Sequence, residues 1–121
     1  MTKPNKKTQR IKLDRLWSEI IRKKGQCEMC PTKTGLNAHH IIGRRNLHLR
    51  WDIRNGVCLC SGCHVFRRDS AHQNPVFFTD WLDATRPDDL QYLRKQQNEL
   101  ATNFDYESKL EELTKTNETL K

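Results

Sequence analysis

Long apolar runs are missing from this chain. None approaches the roughly 18 residues that a membrane-spanning helix needs. The basic start, MTKPNKKTQRIK, has no apolar stretch of the kind a secretory leader carries. Aliphatic residues are sparse and mean hydropathy is −0.91 over 121 residues. One small domain with a modest core is therefore expected, of a size that often needs a metal or disulfide staple. No secretory context is visible, and five cysteines cannot all pair with one another. The expectation is a cytoplasmic protein whose spaced cysteines are thiolate metal ligands in a reducing compartment. Internal repeats are absent.

Acidic residues are scarce in the first part of the chain. Residues 1–70 hold 16 Lys/Arg against 5 Asp/Glu, whereas residues 71–121 hold 6 against 10. A basic segment of that density is the electrostatic footprint of a polyanion binder, most simply a nucleic acid. The competing reading is a solvated basic surface. The basic excess shares its segment with the metal-type residues, which favours nucleic acid.

The apolar residues Leu13, Leu16, Trp17, Ile20 and Ile21 recur at helical spacing. They predict an amphipathic helix from about Gln9 to Lys24, ended by Gly25. Residues 1–8 read as a flexible basic arm. LNAHHII is a short strand broken at Gly43, LHLRWD is a loop or irregular strand, and GVCLC is a second strand. A short helix is expected from Ser61 through CHVFRR. Asn74-Pro75 and Pro87-Asp88-Asp89 are helix starts. Phe78, Trp81, Leu82, Leu90, Leu93 and Leu100 are the packing candidates of the two helices that follow. Leu110, Leu113 and Leu120 give a sparse helical pattern in the tail.

Cys27-x2-Cys30 and Cys60-x2-Cys63 lie 29 residues apart. Two such knuckles suit a closed, tetrahedral structural Zn²⁺ site. The gap exceeds that of a simple zinc ribbon, so something is inserted, namely the HHIIGRR strand and its loop. No thioredoxin-like pattern surrounds either pair, which argues against a redox role. Cys58 reads as a buried small hydrophobe, although a strand would turn it to the same side as Cys60.

Within that frame, C-x2-C, then AHHI, then NGVCLCSGCH, resembles the HNH endonucleases of the ββα-metal superfamily in their zinc-stapled form. The likeness covers roughly residues 25–82, and HHIIGRR, RWDIRNGVCLCSGCH and SAHQNP look most similar to small phage-encoded HNH proteins. The resemblance implies an α+β fold: a small ββα-metal core with the four-cysteine zinc site, flanked by the N-terminal helix and C-terminal helices. The nuclease domain would span 9–85 and a C-terminal helical extension 86–121. The family's metal-binding histidine matches His39, its general base His40, its loop-orienting asparagine Asn55, and its second metal ligand His64. Some members place a further histidine where this chain has Arg68. Here water or substrate phosphate would complete the shell of a catalytic divalent ion (Mg²⁺, Mn²⁺, Ni²⁺ or Zn²⁺).

These residue types suit phosphodiester hydrolysis. An imidazole of ordinary pKa near 6.5 takes a proton from water around neutrality. An ion held by few side chains keeps open positions for phosphate oxygens. Two neighbouring histidines on a strand point to opposite faces, so ligand and base stay separate. By resemblance the products would be a 5′-phosphate and a 3′-hydroxyl. His48 and His72 read as ordinary surface or core histidines, and Trp51 as core. Asn55 before Gly56 also reads as a plain turn residue. Arg44, Arg45, Arg67 and Arg68 are candidates for DNA phosphate contacts. No base-reading element is seen, and the DNA would be double-stranded. Two alternatives stay open: a non-catalytic zinc module that binds nucleic acid or protein, and a recruitment module whose acidic C-terminal helices dock a protein partner.

Overall fold

A computed structural model of the chain describes residues 5–99 and 104–120. Helix α1 (Lys6–Arg22) begins ahead of the expected Gln9, because the Asn5 side chain caps it and accepts from Thr8 N at 2.8 Å. Residues 5–8 of the expected arm are thus the cap and first turn of a helix, while residues 1–4 lie outside the described residues. Gly25, with φ at 76°, supplies the left-handed conformation just after the helix. Leu13, Trp17, Ile20 and Ile21 form the buried stripe of α1, spaced as a 3.6-residue period requires.

Strand β1 (Leu36–His40) pairs antiparallel with β2 (Gly56–Cys60). His39 stands opposite Val57 and His40 opposite Gly56. A two-stranded sheet is marginal by itself, and this one gains its stability from a hydrophobic cluster on each side. Cys58 joins Leu13, Trp17, Ile21 and Trp51 beneath α1. Val57 and Leu59 join Phe78, Leu82 and Leu90 on the other side. Cys58 is fully buried as expected. Cys60, however, ends its strand within the second cluster rather than beside Cys58.

The expected strand through Ile42 stops at His40, and residues 47–52 form turns. A single 3₁₀ turn, Ile53–Asn55, then leads into β2. The helix expected from Ser61 is instead one π-helical turn, Gly62–Phe66, closed by Arg67 N to Gly62 O at 2.9 Å. An α-helix would offer the carbonyls of residues 63 and 64 to residues 67 and 68. Here Ala71 N takes Cys63 O at 2.8 Å and His72 N takes His64 O at 3.1 Å. The segment therefore folds back on itself rather than running on. The architecture is α+β: a two-stranded antiparallel sheet among helices, with four cysteines close together.

Helices α2 (Pro75–Thr85) and α3 (Pro87–Gln96) begin at the expected proline signals, and Asn74 Oδ1 accepts from Phe77 N at 3.1 Å. Helix α4 (Tyr106–Thr119) is capped by Asp105, which accepts from Ser108 N at 3.0 Å. Leu90, Leu93 and Leu113 are buried, and Tyr106 and Leu113 belong to the cluster beneath α1. The C-terminal helices therefore contribute side chains to the core. Leu100 lies outside the described residues, and Leu120 is exposed.

One carboxylate ties α1 to the connection between the strands. Asp14 accepts from Arg50 Nε at 3.0 Å, Arg50 Nη2 at 2.7 Å, Trp51 Nε1 at 2.8 Å and Arg44 Nη2 at 3.0 Å. Burial opposes its charge, yet the bonds from Arg50 and Trp51 and the two arginine charges hold its carboxyl below the usual value of 3.8. Among the described residues no helix is long and apolar enough to cross a membrane.

Gly56 sits where α1 meets the sheet, and a Cβ there would lie 2.3 Å from Ile21 Cδ1 and 2.8 Å from Trp17 Cζ2. Both neighbours are buried and cannot swing clear. Gly56→Ala is expected to cost about 1–3 kcal/mol through overpacking. Gly43→Ala, which meets nothing within 4 Å, should stay within about 0.5 kcal/mol. Urea denaturation of the two variants measures the difference.

Candidate functional site

The two C-x-x-C turns bring the sulfurs of Cys27, Cys30, Cys60 and Cys63 within 4.8 Å of one another. Cys30 Sγ and Cys60 Sγ are 3.5 Å apart. A disulfide needs about 2.05 Å. A tetrahedral ion with metal–sulfur bonds of about 2.3 Å sets its sulfurs about 3.8 Å apart. The spacing fits one ion and no disulfide, and all five cysteines are free thiols.

Two of the thiols are shifted in opposite directions. Bonds from the Thr32 hydroxyl and Thr32 N, and then from Cys60 and Cys27, pull the Cys30 thiol down to about 6. Burial first, and then its bonds to the other three thiols, push the Cys63 thiol up. Four sulfurs this close cannot all ionise without a cation among them, and a bound divalent ion deprotonates a coordinating thiol outright. Arg67 Nη1 points at Cys63 Sγ from 3.8 Å. Arg67, expected on sequence grounds to face phosphate, thus leans on the cysteine cluster. These four cysteines can hold a structural metal ion.

A second cluster comprises His39, His64 and His72, whose ring nitrogens also lie within 4.8 Å of one another. His64 Nε2 and His72 Nε2 face each other at 3.0 Å. Two nitrogens bound to one tetrahedral ion at about 2.0–2.1 Å sit about 3.3 Å apart, so the fit is close. Burial, followed by the charges of His64, His72 and His40, pulls the His39 imidazole down to about 3. Burial and His72 lower His64 as well. Both rings are held neutral, the form that ligates a metal.

His72 is the residue that sequence reasoning passed over. It read as an ordinary histidine, and the expected shell was to be completed by water or phosphate near Arg68. The fold-back after the π-helical turn brings His72 to His64, and the bond from His72 N to His64 O fixes it there. The available signal was its position just ahead of the Asn74-Pro75 helix start, which forces the chain to turn. Arg68 remains exposed. His48 bonds Gln96 Oε1 at 2.8 Å, away from this cluster.

His40 faces the other side of the strand, as alternation requires. Its ring stacks on Trp17 with centroids 3.8 Å apart and planes 9° from parallel. His40 Nε2 lies 2.8 Å from Arg50 O. A carbonyl can only accept, so Nε2 carries the proton and Nδ1 keeps its lone pair. Burial lowers the His40 pKa against the opposing pull of that bond. Although the two rings leave the strand on opposite sides, β1 ends at His40, and His39, His40, His64 and His72 line one depression of about 540 Å³ with Arg44 and Arg45.

Asn55 is fully buried. Its Nδ2 donates to Ile42 O and Leu49 O, both at 3.0 Å, and its Oδ1 accepts from Ile42 N at 2.7 Å. It clamps both ends of the connection that carries Arg44, Arg45 and Arg50. The buried Asn55 side chain thus holds the loop in place through these three bonds. Compared with protein-family models, curated proteins and solved structures, the chain matches none of them.

The two cysteine environments make separate predictions. Cys27→Ser is expected to release the ion held by the four sulfurs and to unfold the domain. Cys58→Ser should keep the ion and lose about 1–3 kcal/mol from burying a hydroxyl. Metal content by mass spectrometry together with thermal denaturation decides. A full metal complement in folded Cys27→Ser would remove the staple.

Proposed function

We propose that the chain is a metal-dependent DNA endonuclease of the HNH type, its histidine cluster serving as a compact ββα-metal site and its four cysteines holding a structural Zn²⁺. The observation that carries this reading is the division of labour among four imidazoles around one depression. Three rings, those of His39, His64 and His72, bring their nitrogens within 4.8 Å of one another. The fourth opens to the same space with one nitrogen already committed to a carbonyl.

His39, His64 and His72 would hold a divalent ion there. Such an ion supplies Lewis-acid polarisation of the phosphate and charge neutralisation for the departing 3′-oxygen. The chain's own residues supply the rest. His40 Nδ1 takes the proton from the attacking water, while Nε2–H stays bonded to Arg50 O and keeps the ring from turning. Trp17 packs flat against the ring and favours the cationic state that follows proton uptake. Asn55 fixes the connection that carries the Arg50 carbonyl. Arg44 and Arg45, on the rim of the same depression, add positive charge beside the strand that carries the phosphate.

Nicking of supercoiled plasmid tests this reading in the presence of Mg²⁺, Mn²⁺ or Ni²⁺. Cleavage is expected to require metal and to fall by about 10²–10⁴-fold in His40→Ala, the usual worth of a general base, with zinc content and folding retained. His72→Ala should shift the metal requirement to higher concentration. Wild-type rates in His40→Ala would sink the proposed base. DNA binding without cleavage under every metal would favour a non-catalytic zinc module.

A further inference from the structure

A second depression, of about 430 Å³, is lined by Arg10, Arg44, Arg45, Leu47 and Arg50. Arg44 and Arg45 also line the histidine depression, so the two share a wall of consecutive arginines. Arg10 reaches the second depression from α1, and the other three arginines come from the connection between the strands.

Three of the four guanidinium groups are held by neighbouring side chains. Arg10 Nε donates to the Tyr106 hydroxyl at 3.0 Å. Arg50 grips Asp14 through two bonds, and Arg44 reaches the same carboxylate at 3.0 Å. Arg45 is exposed. Both oxygens of Asp14 are already occupied by Arg44, Arg50 and Trp51. One carboxylate therefore stands against four guanidiniums, and none of the residues lining this depression is acidic. Holding like charges this close is unfavourable unless an anion sits among them.

We propose that this depression is a second phosphate subsite, in which Arg10, Arg44 and Arg45 bind the DNA backbone phosphate next to the one at the histidines and Arg50 forms a fixed positive floor. The identity of the anion rests on the endonuclease reading, because a strand is what would run from one depression to the other. Successive phosphates of one strand advance about 3.4 Å along the duplex axis, so a strand placed at the histidines carries its neighbours over the shared arginine wall. Guanidiniums meet phosphate oxygens in pairs of parallel bonds. Such contacts position the strand and carry no base preference.

The test is binding, without cleavage. The full-length zinc-loaded protein, with no other metal added, is titrated against a fluorescein-labelled duplex by anisotropy over a series of KCl concentrations. Arg10→Ala and Arg45→Ala are each expected to weaken binding equally on unrelated sequences and to lower the slope of log K against log salt by about one. Two controls should keep the wild-type slope: Lys33→Ala, in neither depression, and Tyr106→Phe, which frees Arg10 without removing its charge. Wild-type slopes in both arginine variants would overturn the subsite, as would an equal loss in Lys33→Ala. Displacement of the duplex by polyglutamate as readily as by unlabelled DNA would overturn it in favour of an acidic peptide. Loss of slope in a protein that never nicks plasmid would support the subsite and refute the endonuclease reading alone.

Discussion

Antiparallel pairing of Leu36–His40 with Gly56–Cys60 fixes which face each of two adjacent histidines presents. A slip of one residue would exchange the faces of the whole strand, sending His39 toward Trp17 and His40 toward Phe78. The register is held from both ends. At Gly56 the absence of a side chain lets Ile21 and Trp17 close onto the strand. At the far end the sulfurs of Cys30 and Cys60 meet. Just beyond the Gly56 end, Ile41 N bonds Asn55 O at 3.0 Å where β1 stops. The end of the strand lets both imidazoles reach one depression from opposite faces.

The basic character of the first half of the chain takes a definite form. Part of it is internal: Arg54 pairs with Asp89 at 2.7 Å and Lys24 with Glu28 at 2.9 Å, and Arg86, from the acidic part of the chain, bonds Gly56 O, Arg54 O and Asp89 and reaches Glu28. These charges hold the first cysteine turn, β2 and α3 together. Another part, Arg10, Arg44, Arg45 and Arg50, lines one depression beside the histidines. Helix α1 has two duties there, since Asp14 anchors the arginines and Trp17 backs His40. A helix that reads as a simple amphipathic cover thus shapes both the site and its approach.

The legibility of the sequence followed the range of the interactions. The cysteine turns were readable because each C-x-x-C brings two sulfurs together within a single turn, and the opposite facing of His39 and His40 follows from strand alternation alone. The proline helix starts were equally local. The place of Asn55 ahead of Gly56 read as a plain turn, and only the family resemblance pointed to a residue that pins the loop. His72 was not readable, since its approach to His64 depends on carbonyls of residues 63 and 64 bonding eight residues ahead instead of four. Arg67, exposed, also lies against Cys63 Sγ. The stack of Trp17 on His40 was hidden in an apolar stripe, where nothing distinguishes a packing ring from a positioning one. The early start of α1 reflects the Asn5 cap, a single hydrogen bond.

On the proposed reading the four cysteines and the three histidines each hold an ion, and His40 belongs to neither set. Anomalous diffraction from crystals grown with Zn²⁺ and Mn²⁺ tests it most directly. Two peaks are expected. One should lie about 2.3 Å from each of the four sulfurs, and the other about 2.0–2.2 Å from nitrogens of His39, His64 and His72, with His40 still against the Arg50 carbonyl. A single peak, or a second one with His40 in its coordination shell, would contradict the account.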